Sequence, residues 1–89
     1  MYYEKDIESI GGLFIKERVL EKKFRYEIIR CLLYVGGEKF QVVLQEFKQG
    51  KGVVLDVIAE NREEQLEKRE KLDFIIEKYS RNENAPIGR

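Results

Sequence analysis

The sequence contains no histidine, no threonine and no tryptophan, a single cysteine (Cys31) and a single proline (Pro86). A single cysteine rules out a disulfide within the chain, and without histidine a tetrahedral Cys/His metal site cannot form. A chain of 89 residues is near the lower end of what folds unaided, and small domains are often stabilised by disulfides, metals or oligomerisation. Of these, oligomerisation is the one that the composition leaves open, and no cofactor site is predicted.

Long apolar runs and an excess of charge of either sign are also missing. No segment approaches the roughly 20 consecutive apolar residues that span a membrane. The N-terminus, MYYEKDIESI, has no apolar signal core after a basic start. We therefore expect a cytoplasmic protein with no membrane partner. The 17 basic and 17 acidic residues give zero net charge, which removes the simplest argument for nucleic-acid binding, a globally basic domain.

What the sequence does contain is a series of apolar runs separated by glycine-rich or charged turns. Strands are predicted over 13–20, on both sides of the Gly36-Gly37 turn, and over 53–59. Because the turns between them are short, the strands are expected to form an antiparallel meander of about four. Residues 1–10 fit a helix or a strand equally well.

The last third of the chain changes to a helical pattern. Residues 61–80 contain many good helix formers, with Asn61 as a plausible N-cap and Glu64 in the capping-box position. Only the second half of this helix has an apolar stripe, so we expect that half to pack on the sheet. The stripe consists of Leu72, Ile75, Ile76 and Tyr79.

Together these elements predict one small α+β domain over residues 1–80. The antiparallel meander occupies 13–59, one C-terminal helix over 61–80 packs on one of its faces, and 81–89 is expected to be a flexible tail. A single helix can cover only one face of a sheet, so the other face needs a separate explanation.

The Gly36-Gly37 turn predicts the register of the two central strands. A two-residue loop places Val35 opposite Glu38; a four-residue loop keeps the same alternation, and a three-residue loop would reverse it. In this register one side of the hairpin is wholly apolar. This side, here called the core face, carries Ile29, Cys31, Leu33, Phe40, Val42 and Leu44.

The same reasoning at the next turn extends the core face to the fourth strand. A turn at Gly50-Lys51 places Leu44 opposite Val57 and adds Val53 and Leu55 to the core face. The two turns then give one apolar surface, for which the C-terminal helix is the expected cover.

The opposite side of the hairpin, here called the second face, is neither a core nor an ordinary solvated surface. Tyr, Phe and Arg are enriched at the centres of protein interfaces, and a bare apolar patch of this kind exceeds what monomers usually expose. It comprises Tyr26, Ile28, Arg30, Leu32 and Tyr34 on one strand, Lys39, Gln41, Val43, Gln45 and Phe47 on the next, and then Val54, Asp56 and Ile58.

We expect the second face to be covered by a second copy of the chain, by another protein, or by stacked nucleic-acid bases. Cover by residues 1–20 is the remaining alternative. The predicted function is non-catalytic binding by a small regulator, adaptor or inhibitor, as a homodimer or with a protein partner. The residues predicted to form the interaction face are Tyr26, Ile28, Arg30, Leu32, Tyr34, Val43 and Phe47.

No catalytic site is predicted. Cys31 lies on the core face with no histidine to activate it, and is expected to be a small buried hydrophobe. Glu27 and Glu46 fall opposite each other, as in a carboxylate pair for acid–base work, but no nucleophile or oxyanion donors accompany them. The segments GGEK and GKG lack the spacing of a phosphate loop.

A basic stretch with interleaved aromatic residues supports an alternative function, single-stranded nucleic-acid binding. Residues 16–30, KERVLEKKFRYEIIR, combine cations with aromatic rings, as sheets that bind single strands do. Four antiparallel strands followed by a helix are also similar to small single-strand-binding domains that dimerise. Glutamates within the same stretch would repel phosphate. The cations are Lys16, Arg18, Lys22, Lys23, Arg25 and Arg30, near Phe24, Tyr26 and Tyr34.

Overall fold

The computed structural model of the chain describes residues 2–84. Their strands form one five-stranded sheet in the order β1-β5-β4-β3-β2, and all neighbouring strands are antiparallel. The predicted α+β class, with an antiparallel meander and a C-terminal helix, is confirmed. The elements are β1 (Tyr2–Tyr3), α1 (Glu4–Ser9), β2 (Leu13–Lys22), β3 (Tyr26–Val35), β4 (Glu38–Phe47), β5 (Val53–Ile58) and α2 (Arg62–Asn84).

The β3–β4 hairpin has the predicted register, with Val35 opposite Glu38. Gly36 and Gly37 have φ angles of 60° and 78°, the left-handed conformation that a two-residue type I′ turn requires at both positions. A β-carbon at Gly36 would also lie 2.7 Å from Cγ2 of Ile75 in α2. Both the backbone conformation and the close approach of α2 therefore require glycine at position 36.

The core lies between the core face and the two helices. Ile7 of α1 and Leu72 and Ile75 of α2 belong to the same buried cluster as the core-face residues. Burial of each such side chain contributes about 1.5–3 kcal/mol. The core face of the β3–β4 hairpin and the packing of α2 through its C-terminal half are thus confirmed. The sheet residues of the cluster are Ile29, Cys31, Leu33, Val35, Phe40, Val42, Leu44, Val54 and Val57.

Helix α2 begins where the sequence predicts. The side-chain oxygen of Asn61 accepts a hydrogen bond from the backbone N–H of Glu64 at 2.8 Å, so Asn61 is the N-cap. The Glu64 carboxylate accepts from the backbone N–H of Glu60 at 3.3 Å. In a standard capping box the donor would be the N–H of the N-cap residue, Asn61, so the observed donor lies one residue earlier in the chain. The helix continues to Asn84, past its predicted end, so the first part of the predicted flexible tail is helical; residues 85–89 lie outside the described residues.

The predicted register between β4 and β5 is wrong. Leu44 pairs with Val54, Val42 pairs with Val57, and a register irregularity lies between them, at Leu55. An extra residue in a strand shifts its alternation, so Val54 and Val57 both enter the core. Val53 and Leu55, which were predicted to do so, are only half-buried.

The first ten residues, ambiguous in sequence, contribute a strand and a short helix. Tyr2 of β1 pairs with Val54 of β5. Glu4 fixes the junction between β1 and α1. Its backbone N–H donates to Gly52 O and its carboxylate accepts from Gly52 N–H, each at 2.8 Å. Helix α1 buries Ile7 in the core cluster and leads to β2 at the opposite edge of the sheet. Residues 2–20 therefore do not cover the second face.

Candidate functional site

The second face is an open, largely apolar surface built on β2, β3 and β4. Leu13 and Ile15 of β2 pair with Tyr34 and Leu32 of β3, and paired residues of antiparallel strands point to the same side. Leu13 is 58% exposed and Tyr34 is 39% exposed. Both helices contribute to the core on the other side of the sheet, so no helix within residues 2–84 covers this surface.

All seven residues predicted to form the interaction face lie on it, in the predicted pairing. Tyr26 pairs with Phe47, and Arg30 pairs with Val43. The β3 side chains Ile28 and Leu32 are half-buried, as is Val43. Side chains on the neighbouring strands of the same sheet account for this partial burial. Covering them fully requires a further layer.

Two aromatic rings occupy one end of the second face. The ring centroids of Tyr26 and Phe47 are 6.2 Å apart, with an angle of 64° between the ring planes. This edge-to-face geometry contributes about 0.5–1.5 kcal/mol beyond the burial of the rings. The two rings form an aromatic margin, which is suited to anchoring a bound molecule.

Arg30 lies at the centre of the second face, where it pairs with Arg18 of β2 and Val43 of β4. Its guanidinium donates a hydrogen bond to the side-chain oxygen of Gln41 on β4. An arginine held in this way is already oriented, and covering it costs less than covering an arginine without a hydrogen-bond partner.

The contribution of β5 to the second face differs from the prediction because of the irregularity at Leu55. Val54 lies in the core. The Asp56 carboxylate contacts α2, accepting from Arg69 Nε at 3.0 Å and from Gln65 Nε2 at 3.2 Å. Ile58, paired with Gln41, keeps its predicted place.

Leu13 and Ile15 are second-face residues that sequence reasoning missed. The sequence signal that could have found them is the alternation of strand residues: Phe14 packs against the core, so Leu13 and Ile15 on either side of it point to the opposite face. Strand β2 has register shifts between Lys16 and Arg18 and between Val19 and Glu21. Each shift reverses the alternation, so no single register fits the whole strand.

The outer edge of β2 is unsuited to pairing with another strand. The edge strand carries the two irregularities in register and charged side chains along its length. Bulges and charges are the features by which proteins block edge-to-edge association. An added molecule is therefore expected on the face of the sheet and not along this edge. The charged residues of β2 are Lys16, Glu17, Arg18, Glu21 and Lys22.

The basic stretch of the sequence is partly neutralised. Lys16 pairs with Glu46 at 2.5 Å, Lys22 with Glu27 at 3.7 Å, and Lys23 with Glu21 at 3.0 Å. The hydrogen bond to Glu46 raises the pKa of Lys16. Three of the six cations singled out in the sequence therefore have carboxylate partners, and the predicted carboxylate pair, Glu27 and Glu46, is occupied by these lysines.

Cys31 is fully buried on the core face. Burial raises the pKa of its thiol to about 11, which disfavours the reactive thiolate at neutral pH. Among the described residues, no cluster of three Cys, Asp or Glu side chains could hold a metal ion. Within residues 2–84, neither helix has the length and apolarity needed to cross a membrane.

No protein-family model, no curated protein and no solved structure matches this chain.

Proposed function

We propose that this protein is a non-catalytic binding protein whose second face is covered by a second copy of the chain. The observation that supports this most is the open apolar surface formed by β2, β3 and β4, with Leu13, Ile15 and Tyr34 exposed. An apolar surface of this extent is typical of an interaction site. The dimer would be a sandwich of two sheets, with the helices on the outside.

The size of the second face fits a dimer. Strands β2, β3 and β4 are each ten residues long, and β5, which adds Ile58 to the face, is six residues long. At about 4.8 Å between strands and 3.3 Å per residue, this surface measures about 600 Å². Two such surfaces would bury about 1,200 Å², the lower end of the range for stable specific interfaces.

The polar groups of the second face also permit self-association. The central cation, Arg30, is hydrogen-bonded within its own sheet to Gln41, so it does not need an acidic partner. A second copy supplies the same apolar surface, as an isologous twofold interface requires. The charged and irregular edge of β2 directs association to the face.

A foreign protein partner and single-stranded nucleic acid are the alternative occupants of this face. Nucleic acid draws less support there, since Lys16, Lys22 and Lys23 have carboxylate partners. Phe24, Arg25 and Lys48, which lie beyond the strands at one end of the sheet, form a further feature that meets the second face at Phe47.

The test is the variant Leu32→Glu, which places a carboxylate in the centre of the second face. Leu66→Glu is the matched control, because Leu66 is an exposed leucine on α2, 42% exposed. In sedimentation velocity, we expect the wild type and Leu66→Glu to sediment as dimers and Leu32→Glu as a monomer. Circular dichroism establishes that each variant is folded.

The proposal is overturned if folded Leu32→Glu sediments like the wild type, or if the wild type is already a monomer. In the second case, the open face is available to a different protein.

A further inference from the structure

The turn between β2 and β3 presents an aromatic ring to solvent at one end of the sheet. Phe24 is 83% exposed, the highest exposure of any large apolar side chain among the described residues. Two backbone hydrogen bonds hold the turn: Lys23 N–H donates to Tyr26 O at 2.9 Å, and Lys48 N–H donates to Arg25 O at 3.1 Å. The Phe24 ring is thus exposed on a hydrogen-bonded turn and does not pack in the core.

A cation covers part of this ring. Lys48 Nζ lies 5.6 Å from the centroid of Phe24, within the range of a cation–π interaction. The high exposure of Phe24 leaves ring surface free for another flat group. The guanidinium of Arg25, next in the chain, adds a second positive charge and a planar hydrogen-bond donor.

The acidic residues at this end of the sheet are already paired with lysines. Glu21 pairs with Lys23, Glu27 with Lys22, and Glu46 with Lys16. No ion pair among the described side chains involves Arg25 or Lys48. The side-chain charges at the turn that are not balanced by an ion pair are therefore positive, even though the chain as a whole is neutral.

The ring and the two cations line one open pocket of about 450 Å³. Phe47 forms its other aromatic wall, and Gln49 adds an amide that can donate or accept hydrogen bonds. Because Phe47 packs edge-to-face against Tyr26, that wall is fixed. We refer to Phe24, Arg25, Phe47, Lys48 and Gln49 as the aromatic tip.

We propose that the aromatic tip binds single-stranded nucleic acid, with one base stacked on Phe24 and backbone phosphates contacted by Arg25 and Lys48. Every base has a flat face that an exposed phenyl ring can stack on, and a cationic rim binds the backbone without regard to sequence. An acidic peptide would use the cations but has no need of the exposed ring. Nucleic acid is therefore the ligand that accounts for all of these groups.

This inference does not rest on the dimer. Phe24 lies in the turn, beyond the ends of β2 and β3, and the tip is complete in one chain. If the dimer forms, it carries two tips, and a strand long enough to reach both would bind more tightly through effective concentration.

The test is fluorescence anisotropy with a labelled oligothymidylate of about ten nucleotides, within the usual range of strand lengths bound by one module. The full-length chain is titrated at two or more salt concentrations. Phe24→Ala is expected to weaken binding about tenfold, in line with the loss of one stacked base. Phe74→Ala is the matched control, since Phe74 is 64% exposed on α2, and it should bind like the wild type.

The cations have their own control. Lys48→Ala and Arg25→Ala are each expected to reduce the slope of log K against log salt by about 0.7 for every phosphate that the variant no longer neutralises. Lys78→Ala removes a similar pair on α2, where Lys78 Nζ lies 5.5 Å from the Tyr79 centroid, and should leave the slope unchanged.

The inference is overturned by wild-type protein that does not bind the oligonucleotide at low salt, or by equal binding of Phe24→Ala and Phe74→Ala. It is also overturned if polyglutamate displaces the oligonucleotide as well as unlabelled oligothymidylate does, which would assign the tip to acidic proteins. Sedimentation velocity of Phe24→Ala distinguishes the two proposals. Because Phe24 lies in the turn and not on the second face, we expect this variant to sediment like the wild type even when it binds nucleic acid more weakly.

Discussion

Both faces of the sheet carry apolar side chains, yet residues 2–84 cover only one of them. On the core face, Cys31 and Leu33 are fully buried beneath helices that supply Ile7 and Leu72. On the second face, neighbouring positions of the same strand remain half-buried or exposed. The difference lies in what is placed above each face and not in the residues of β3, which is apolar at nearly every position.

A strand with two apolar faces is typical of a sheet that is covered on both sides. Residues 2–84 form one long helix and one short one, and both pack on the same side of the sheet. The apolar side chains of the second face then indicate a layer that the described residues do not supply. The second face is therefore where we propose that a partner binds.

The largest expected effect contrasts the adjacent residues Leu33 and Leu32, which point to opposite faces. Leu33→Ala should lower the free energy of unfolding by about 2–5 kcal/mol, because it opens a cavity in the core. Leu32→Ala should lower it by less than about 1 kcal/mol when the protein is dilute enough to be monomeric. Urea denaturation monitored by circular dichroism measures both. Equal losses of unfolding free energy in the two variants would mean that the second face is buried within a single chain.

The pH dependence of stability sharpens the same contrast from the core side. Burial raises the pKa of Cys31 from an ordinary value of 9.0 to about 11, so the unfolded chain loses this proton first. The contribution is fully present below pH 9 and is lost as the pH rises towards 11, by at most about 2.7 kcal/mol, or two units at 1.36 kcal/mol each.

Urea denaturation between pH 8 and pH 11 measures this decline, with Cys31→Ala as the control. Lysine ion pairs titrate in the same range, so the difference in slope between the two proteins is the quantity that reports Cys31. If the slopes coincide, the thiol is not held in its protonated form by the fold.

The aromatic margin of the second face should matter for the dimer and not for the fold. Tyr26→Ala and Phe47→Ala are each expected to weaken dimerisation by more than about 1 kcal/mol. The double variant should show a coupling of about 0.5–1.5 kcal/mol, because the two rings contact each other edge-to-face. Sedimentation equilibrium gives the dissociation constants, and Phe74→Ala serves as the control. Loss of cooperative unfolding in these variants would place the rings in the core.

The smallest expected effect concerns Arg30, the central cation of the second face. In a dimer interface, Arg30→Met should change the free energy of dimerisation by less than about 1 kcal/mol, since an apolar side chain of similar length often replaces a covered charge without loss. Sedimentation equilibrium of the variant measures this change. A strong loss of dimer, on the order of 3 kcal/mol, would show that Arg30 has an acidic partner across the interface.

Much of the fold could be predicted from the sequence because local chemistry determines it. The Gly36-Gly37 turn determines which residues of β3 and β4 share a face, and Asn61 marks the start of α2. The second hairpin could not be predicted in the same way. The irregularity at Leu55 has no sequence signature, and it determines that Val54 is buried and that Asp56 contacts α2.

The parts of the candidate site that were missed depend on contacts between distant residues. Leu13 and Ile15 join the second face only through pairing with β3, in a strand whose register shifts twice. Lys48 reaches the Phe24 ring because the end of β4 lies beside the β2–β3 turn. The ring pair Tyr26 and Phe47, in contrast, follows directly from the hairpin register and was predicted.

The central claim is that a second copy of the chain covers the second face, and the solution mass of the wild-type protein tests it most directly. Light scattering over a tenfold range of concentration should give about twice the chain mass of 10.6 kDa, with at most a decline at the lowest concentrations as the dimer dissociates. A mass of one chain at every concentration would contradict the claim.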